Sequence, residues 1–316
     1  MAKIDRSKLP TSENNGISEA YNEFLLSRKT LCAQPTIKTY QYLGNSIIVP
    51  KLTEYTDGTM GGVTDVAVRT IINGYMESHS AGGVHFLYRH FKAFINWYWR
   101  EYDISRPNPF RNIRVKKPKF PPKAGITRTE VEALLKAAKE HSFFPERDIA
   151  VIMVLCDTGI RLESLANLKI GDVNLSKKEL TVYEKDQNYH VKPLGTACSR
   201  ALGQYLRCIV DAQPDETLWM QMDGMPLVKR GLREMLIRLC SEAKIEKHLF
   251  HDFRRFYGLE LYKSTRDIYF VSRALDHKSI EVTKRYLAID ATEDAEAIRA
   301  MSPMDNKKTT KIQRKK

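Results

Sequence analysis

Apolar side chains recur at intervals of three and four residues along most of this chain, which is the spacing of one face of an α-helix. In 17–29, for example, Ala20, Tyr21, Phe24 and Leu25 share such a face. The same spacing predicts three further helices in the N-terminal third, at 35–48, 64–78 and 84–102. The last of these is strongly aromatic. We expect its apolar face to pack in a core and its basic face to remain available to phosphate groups.

The helical pattern stops at 106–125, where the chain carries five prolines and seven lysines or arginines. Proline interrupts helices and favours extended neighbours, so this stretch predicts a linker between two domains. A plain tether needs no such charge, and a strap lying along a polyanion explains it better. The predicted organisation is a flexible N-terminus 1–15, a helical domain 16–112, a basic linker 113–125, a second domain 126–303 and a disordered basic tail 304–316.

The second domain begins with a helix, because Thr127 and Glu130 have the spacing of a capping box. The alternating segments 179–183 and 189–194, joined by the polar residues 184–188, predict a β-hairpin. The predicted fold class is mainly α, a two-domain clamp with a small antiparallel β-sheet in the second domain. Further helices are predicted at 145–159, 162–170, 198–211, 228–243, 251–263, 266–275, 279–288 and 292–301.

The charge of the chain narrows the classes of partner. Its 316 residues include 51 lysines and arginines against 38 acidic residues, a formal net charge of +13. Such a surplus attracts polyanions, which are nucleic acid or an anionic membrane surface. No apolar run reaches the length of a membrane span, and the N-terminus lacks the apolar segment of a signal peptide. The five cysteines form no metal-binding pattern, so we expect a reducing, cytoplasmic setting.

Familiar catalytic motifs, such as a GxxxxGK[ST] phosphate loop or HExxH, are absent. Instead, basic residues occupy the junctions between predicted elements. Arg161 follows an apolar helix and needs an anionic partner, which is either a nearby carboxylate (Asp157 or Glu163) or a bound phosphate. His251 and Arg254 lie three residues apart, so they share a helix face and can reach one ligand.

Near the end of the chain, nine residues separate His277 from Tyr286. Paired guanidinium groups can bind two oxygens of one phosphate, and imidazoles can donate hydrogen bonds or transfer protons. A tyrosine hydroxyl can form a covalent phosphoester. Tyr286 alone fits a half-buried core aromatic. Together with the two arginines and two histidines, it favours chemistry on a phosphodiester.

Three segments carry a family resemblance: TGIRLESLANLKIGDVNL (158–175), HDFRRFYG (251–258) and LDHKSIEVTKRYL (275–287). In order and spacing they resemble the signature segments of the tyrosine recombinase (phage integrase) family. The resemblance covers about 126–301 by motif, and the helices of 16–112 weakly resemble the family's core-binding, SAM-like domain. It implies DNA strand cleavage and rejoining through a 3′-phosphotyrosine intermediate and a Holliday junction.

The resemblance implies a role for each residue that matches the family's pattern. Tyr286 corresponds to the nucleophile, and Arg161 and Arg254 correspond to the two phosphate-binding arginines. His277 corresponds to the position that hydrogen-bonds the scissile phosphate. Glu163 corresponds to the acidic residue that positions the first arginine without contacting the phosphate itself.

The proton-transfer residues follow in the same way. His251 corresponds to the histidine that assists proton transfer, and Lys185 to the lysine general acid for the departing 5′ oxygen. The hairpin turn lacks the family's usual Gly-Lys-Gly, so Lys192 remains a rival for this role. Asp276 replaces a usual glycine and Arg255 a frequent histidine, which bears on the subfamily and not on the catalytic set.

The resemblance also implies partners: double-stranded DNA, and further copies of the chain in a tetramer that contact through 288–303. The apolar stripe in that segment also fits packing on its own domain. No metal or other cofactor is implied, because the phosphotyrosine conserves the energy of the broken bond. Integration of a mobile element and resolution of chromosomes or plasmids remain open, as do a relaxing enzyme of topoisomerase type and a non-catalytic DNA-binding regulator. The candidate DNA-binding residues are Arg89, Lys92, Arg114, Lys116, Lys117 and Lys119.

Overall fold

The structure, a computed structural model, describes residues 15–118, 125–183, 189–277, 279–287 and 299, and for 285–287 it describes the backbone. The chain divides into two compact units, 1–120 and 121–316. Among the described residues, no helix is both long and apolar enough to cross a membrane.

The first unit is helical. Its predicted helices are confirmed, with one addition, because the second predicted helix continues through a single π-helical turn at Gly44–Ile48 into a further short helix. Among its described residues, 15–118, the α-helices are α1 (Ile17–Lys29), α2 (Gln34–Leu43), α3 (Val49–Tyr55), α4 (Asp65–Met76) and α5 (Ala81–Glu101).

Aromatic side chains fill the core of this unit. The predicted apolar face of α5 is confirmed, since Phe91, Phe94 and Tyr98 are fully buried. Phe94 packs edge-on against Tyr21 of α1, with 4.8 Å between the ring centroids. Residues 106–113 also belong to this unit, because Phe110 is buried there and the backbone of this segment bonds to side chains of α5.

The second unit combines helices with one small sheet. The predicted fold class, mainly α with a small antiparallel sheet, is confirmed. The three strands are β1 (Val173–Asn174), β2 (Glu179–Tyr183) and β3 (Tyr189–Pro193), in the order β1-β2-β3. The α-helices in the described part of this unit are α6 (Arg128–His141), α7 (Pro145–Thr158), α8 (Leu162–Ala166), α9 (Thr196–Leu206), α10 (Lys229–Glu242), α11 (Phe250–Thr265), α12 (Ile268–Ala274) and α13 (Ile280–Leu287).

Local sequence signals set the ends of the helices that lead to the site. The predicted capping box is present: Thr127 N donates to Glu130 Oε2 at 2.8 Å, and the Thr127 hydroxyl accepts from Glu130 N. Helix α7 ends at Gly159, whose positive φ of 58° suits glycine. Helix α7 is the buried centre of the unit and packs against α6, α9 and α11.

Some predictions differ from the structure or concern residues outside its described part. The helix predicted over 162–170 ends at Ala166, and strand β1 was not predicted because two residues are too short for a pattern. The predicted domain boundaries stay predictions. The predictions outside the described residues concern 1–14, 119–124, 184–188, the helix 292–301 apart from Arg299, and the tail 304–316.

Candidate active site

Arg254 joins two segments that the sequence keeps far apart. It lies on α11 and is only 2% exposed. Its Nη1 donates to the carbonyl of Gly159 at 2.8 Å, and its Nη2 donates to the carbonyl of Leu275. The first carbonyl lies just before Arg161, and the second lies just before His277. One buried guanidinium therefore holds the backbone in place two residues before each of these predicted site residues.

His277 lies close to both predicted phosphate-binding arginines. Its Nδ1 is 2.8 Å from the hydroxyl of Thr283, a fully buried residue on α13. Burial, followed by the positive charges of Arg254 and Arg161, lowers the pKa of His277 to about 4, while the charge of Asp276 acts in the opposite direction. His277 is therefore neutral near pH 7.

His251 belongs to the same electrostatic group. It lies in the first turn of α11, and partial burial of its imidazole lowers its pKa. The charges of Arg254, Arg255 and Arg161 act in the same direction. A cavity of about 290 Å³ opens in front of it, and Arg161 and Lys229 are among its lining residues. Three cationic side chains and one carboxylate line this cavity, so its lining favours an anionic group.

The structure thus brings together Arg161, His251, Arg254 and His277. For Tyr286 it describes the backbone, which lies on α13, a helix that packs against α11 and α12. The placement of the tyrosine hydroxyl among the other four stays a prediction. Lys185 lies outside the described residues, in the hairpin turn 184–188.

Lys192, the rival for the lysine role, lies on β3 with its side chain buried. Its ammonium group donates to the carbonyl of Ala274 at 2.7 Å and forms an ion pair with Asp276. These contacts direct it towards the backbone before His277, which argues against Lys192 as the general acid. The assignment of that role to Lys185 stays a prediction.

Glu163 has a partner that the sequence did not reveal. Its carboxylate accepts from the ammonium of Lys229 on α10, at 2.5 Å. The proposal that Glu163 braces Arg161 stays a prediction. Arg233, four residues after Lys229, lines the same cavity. The i, i+4 spacing of these two cations is visible in the sequence, but nothing there indicates that α10 faces Arg161.

The predicted DNA-binding residues lie in the first unit, apart from Lys119, which falls outside the described residues. Arg89 is exposed, whereas the ammonium of Lys92 donates to the hydroxyl of Tyr88 at 3.3 Å. Arg114, Lys116 and Lys117 are exposed. Their role stays a prediction.

No group of three or more His, Cys, Asp or Glu side chains is arranged to hold a metal ion in the described parts of the chain. The site is instead rich in cations and neutral imidazoles. Such an arrangement suits an anionic reacting group, because fixed positive charge stabilises negative charge that grows in a transition state.

Residues 125–293 match the sequence profile of the phage integrase family. Tyrosine recombinase XerC of Staphylococcus aureus (strain bovine RF122 / ET3-1) is 28% identical over 193 residues, which cover 60% of this chain and 64% of that protein. Tyrosine recombinase XerD of Halalkalibacterium halodurans is 28% identical over 195 residues, which cover 60% of this chain and 65% of that protein. The chain therefore spans less than two thirds of the length of these relatives.

Solved structures share the fold. A Tn1549 transposon integrase in complex with transposon right end DNA is 17% identical, with a TM-score of 0.72 over 91% of this chain and 99% of that one. A lambda integrase dimer bound to a COC′ core site is 16% identical, with a TM-score of 0.71 over 90% of this chain and 81% of that one. Because the family profile matches more than half of its residues, the chain belongs to the phage integrase family of tyrosine recombinases.

Proposed function

We propose that this chain is a site-specific DNA recombinase that cleaves and rejoins strands through a 3′-phosphotyrosine intermediate and a Holliday junction. The observation that carries the proposal is the cluster of Arg161, Arg254 and neutral His277, with Tyr286 on the helix that begins three residues after His277. The similarity to XerC and XerD, and to integrases solved on DNA, supports the same activity.

In the first step, the hydroxyl of Tyr286 attacks a DNA phosphodiester. A bond forms between the tyrosine oxygen and phosphorus, and the bond from phosphorus to the 5′ oxygen breaks. Arg161 and Arg254 stabilise the negative charge on the non-bridging oxygens of the pentacovalent transition state. The contacts of Arg254 with the carbonyls of Gly159 and Leu275 hold its guanidinium in a fixed plane, so little reorganisation accompanies the reaction.

Two proton transfers accompany this step: Tyr286 loses a proton, and the departing 5′ oxygen gains one. The proton of Tyr286 passes towards His251, whose lowered pKa keeps it neutral and able to accept it. Lys185 donates a proton to the departing 5′ oxygen. When the hydroxyl of Thr283 donates to Nδ1 of His277, the proton of that imidazole is on Nε2 and can bond to the phosphate.

The second step reverses the first with a different 5′ hydroxyl, which attacks the phosphotyrosine and completes strand exchange. The energy of the phosphoester is kept in the tyrosine linkage, so no nucleotide hydrolysis is required. A tetramer on two DNA sites, with contacts through 288–303, would provide the four active sites that exchange requires. The exposed basic residues Arg89, Arg114, Lys116 and Lys117 would bind backbone phosphates.

The test begins with covalent capture of the protein on a pool of genomic DNA fragments, followed by sequencing of the trapped ends. A plasmid that carries two copies of the captured site is then the substrate. Recombinant circles support the proposal. Relaxed plasmid without recombinants would replace it with the relaxing enzyme, and DNA binding without any covalent product would replace it with the non-catalytic regulator.

A further inference from the structure

A lysine occupies the one buried position of strand β3. Exposure alternates along this strand, and Lys192 is 6% exposed whereas its neighbour Val191 is 58% exposed. Lys192 pairs across the sheet with Leu180 of β2, which is fully buried. A position of this kind normally holds an apolar side chain, because a buried ammonium requires a close partner.

The partners of this ammonium are Ala274 and Asp276, in the turn directly before His277. The ammonium of Lys192 donates to the carbonyl of Ala274 at 2.7 Å and pairs with the carboxylate of Asp276. His190, two residues earlier on the same face of β3, lies 3.2 Å from the other carboxylate oxygen of Asp276. Two residues of the hairpin therefore bind one aspartate.

Asp276 also sets the direction of the chain at this point. Its φ is 49°, in the left-handed region that glycine adopts without strain and that aspartate tolerates better than most residues. The family's usual residue here is glycine, which could adopt the same turn but has no side chain for Lys192. We call residues 274–277 the corner.

Each residue of the corner makes a hydrogen bond or an ion pair that holds it in place. The carbonyl of Ala274 accepts from Lys192, and the carbonyl of Leu275 accepts from Arg254. Asp276 binds β3 through its side chain. The amide of His277 donates to the carbonyl of Ser272 at 3.0 Å. The corner is thus fixed on one side by the predicted phosphate-binding arginine and on the other by the sheet.

We propose that Lys192 and Asp276 form a positioning pair that holds the corner against the sheet and so sets the imidazole of His277 for the reaction. Lys192 acts through the corner and not on the phosphate. This inference rests on the proposed function, because it assigns the pair a purpose in DNA cleavage. It also gives a chemical reason for an aspartate at position 276. The carboxylate forms the ion pair with Lys192, which glycine could not form.

The pair predicts a pattern of non-additive effects. Lys192→Met leaves Asp276 with His190 as its remaining partner, and Asp276→Gly leaves a buried ammonium without its carboxylate. The double variant removes both charges and replaces the lysine with an apolar residue of similar length. Removing both members of a buried pair is commonly less harmful than removing one.

The experiment measures single-turnover cleavage of a DNA substrate whose cut strand is lost by diffusion, together with DNA affinity and the melting temperature. Each single variant is expected to bind DNA as the wild type does but to cleave roughly 10- to 100-fold more slowly, the usual effect of a displaced catalytic group. The double variant is expected to cleave faster than the slower single variant. The matched control, Lys177→Met, removes one exposed lysine between β1 and β2 and is expected to cleave as the wild type does.

A sulfur substitution separates positioning from acid catalysis. When sulfur replaces the bridging 5′ oxygen, the leaving thiolate needs no proton, so loss of a general acid is rescued. We expect rescue for Lys185→Ala and none for Lys192→Met. Rescue of Lys192→Met would overturn the proposal and make Lys192 the general acid. Wild-type cleavage rates in both single variants would also overturn it, as would single variants whose losses multiply in the double variant.

Two further outcomes are distinguishable. If the single variants do not fold, Asp276→Asn keeps the turn and a hydrogen bond while it removes the charge, and it is expected to cleave between the wild-type and Asp276→Gly rates. An Asp276→Asn variant that folds but cleaves as the wild type does would contradict the proposal. If the wild type itself forms no covalent product on the captured site, the proposed function fails and not the pairing of Lys192 with Asp276, which a lower melting temperature of the single variants would still reveal.

Discussion

Arg254 shows how the site is built at the scale of single residues. A charge that is 2% exposed is held by two backbone carbonyls, which belong to the segments before Arg161 and before His277. Lysine has the same charge but not the planar fork that reaches two acceptors at once. The geometry of this residue therefore matters as much as its charge.

Arg254→Lys is accordingly expected to reduce single-turnover cleavage by about 10²–10³-fold, the range seen when one oxyanion donor is removed. DNA affinity, measured separately, is expected to change far less. The same exchange at the next residue, Arg255→Lys, is the control. Arg255 forms an ion pair with Asp252 at 3.5 Å that lysine can also form, so a change below tenfold is expected. Similar losses in both variants would contradict the special role of Arg254.

His277 makes stability depend on pH in a defined direction. Its pKa of about 4 in the folded protein lies below its ordinary value of 6.5, so between these values the unfolded chain binds more protons. Folding stability is therefore greatest above pH 6.5 and falls as the pH decreases towards 4. His251 contributes in the same direction, because its pKa is also lowered.

Urea unfolding at pH 7, 5.5 and 4.5 tests this dependence in the wild type and in His277→Gln. We expect the unfolding midpoint of the wild type to decrease with pH, and that of the variant to decrease less. Glutamine keeps a polar side chain but does not titrate in this range. Identical pH dependence in the two proteins would show that burial and the two arginines do not hold His277 neutral.

The sequence singled out residues whose chemical type is unusual for a helical domain, such as Arg161, His251 and His277, and the structure brings these three together. The sequence indicated Lys192 only as a rival for the general acid and did not reveal that this side chain is buried against the turn before His277. The alternation along β3 predicted a strand but not which face is buried, and the structure buries Lys192 and exposes Val191. The register with β2 decides the question, because Leu180 opposite Lys192 is buried. A register is a relation between two strands, and the pattern of one strand does not contain it.

For the helices, the predicted ends agree with the structure where the sequence carries a local capping signal. The capping box at Thr127 begins α6, and Gly159 ends α7. The π-helical turn after α2 has no such signal, since it depends on contacts with another helix. At Gly44 a Cβ atom would lie 2.0 Å from the ring of Tyr21, so this turn and α1 can approach only because position 44 has no side chain.

Gly44→Ala is expected to destabilise the protein by about 1–3 kcal/mol, the range for overpacking a tight contact. Gly74→Ala is the matched control within α4. A Cβ atom there meets nothing within 4 Å, so the change is expected to stabilise the helix by about 0.5–1 kcal/mol. Urea unfolding of both variants measures the difference. Equal effects would mean that the close approach of Gly44 to Tyr21 does not limit the fold.

For the whole molecule, the net charge of +13 follows directly from the sequence. Part of this charge lies in the exposed residues Arg114, Lys116 and Lys117, close to the division between the two units. We expect these residues to bind DNA phosphates. Each phosphate contact on duplex DNA contributes about 0.9 to the slope of log affinity against log salt concentration.

Replacement of these three residues by alanine is therefore expected to reduce that slope by roughly 2–3, with uniform weakening across DNA sequences. Fluorescence anisotropy with two unrelated duplexes at several salt concentrations measures both effects. Exchange of the exposed lysines Lys136, Lys139 and Lys177 for alanine lowers the net charge by the same amount at sites remote in sequence from the predicted contacts, and provides the control for altered net charge. An unchanged slope in the variant that lacks Arg114, Lys116 and Lys117 would exclude these residues from the DNA interface.

The central claim is that the two arginines, His251, His277 and Tyr286 form one site for covalent chemistry on DNA. The most direct measurement is covalent capture of wild type and Tyr286→Phe on the same DNA substrate, with the linked peptide identified by mass spectrometry. The account predicts a DNA adduct on Tyr286 in the wild type, and full DNA binding without an adduct in the variant. An adduct that persists in Tyr286→Phe, or that maps to another residue of the wild type, would contradict it.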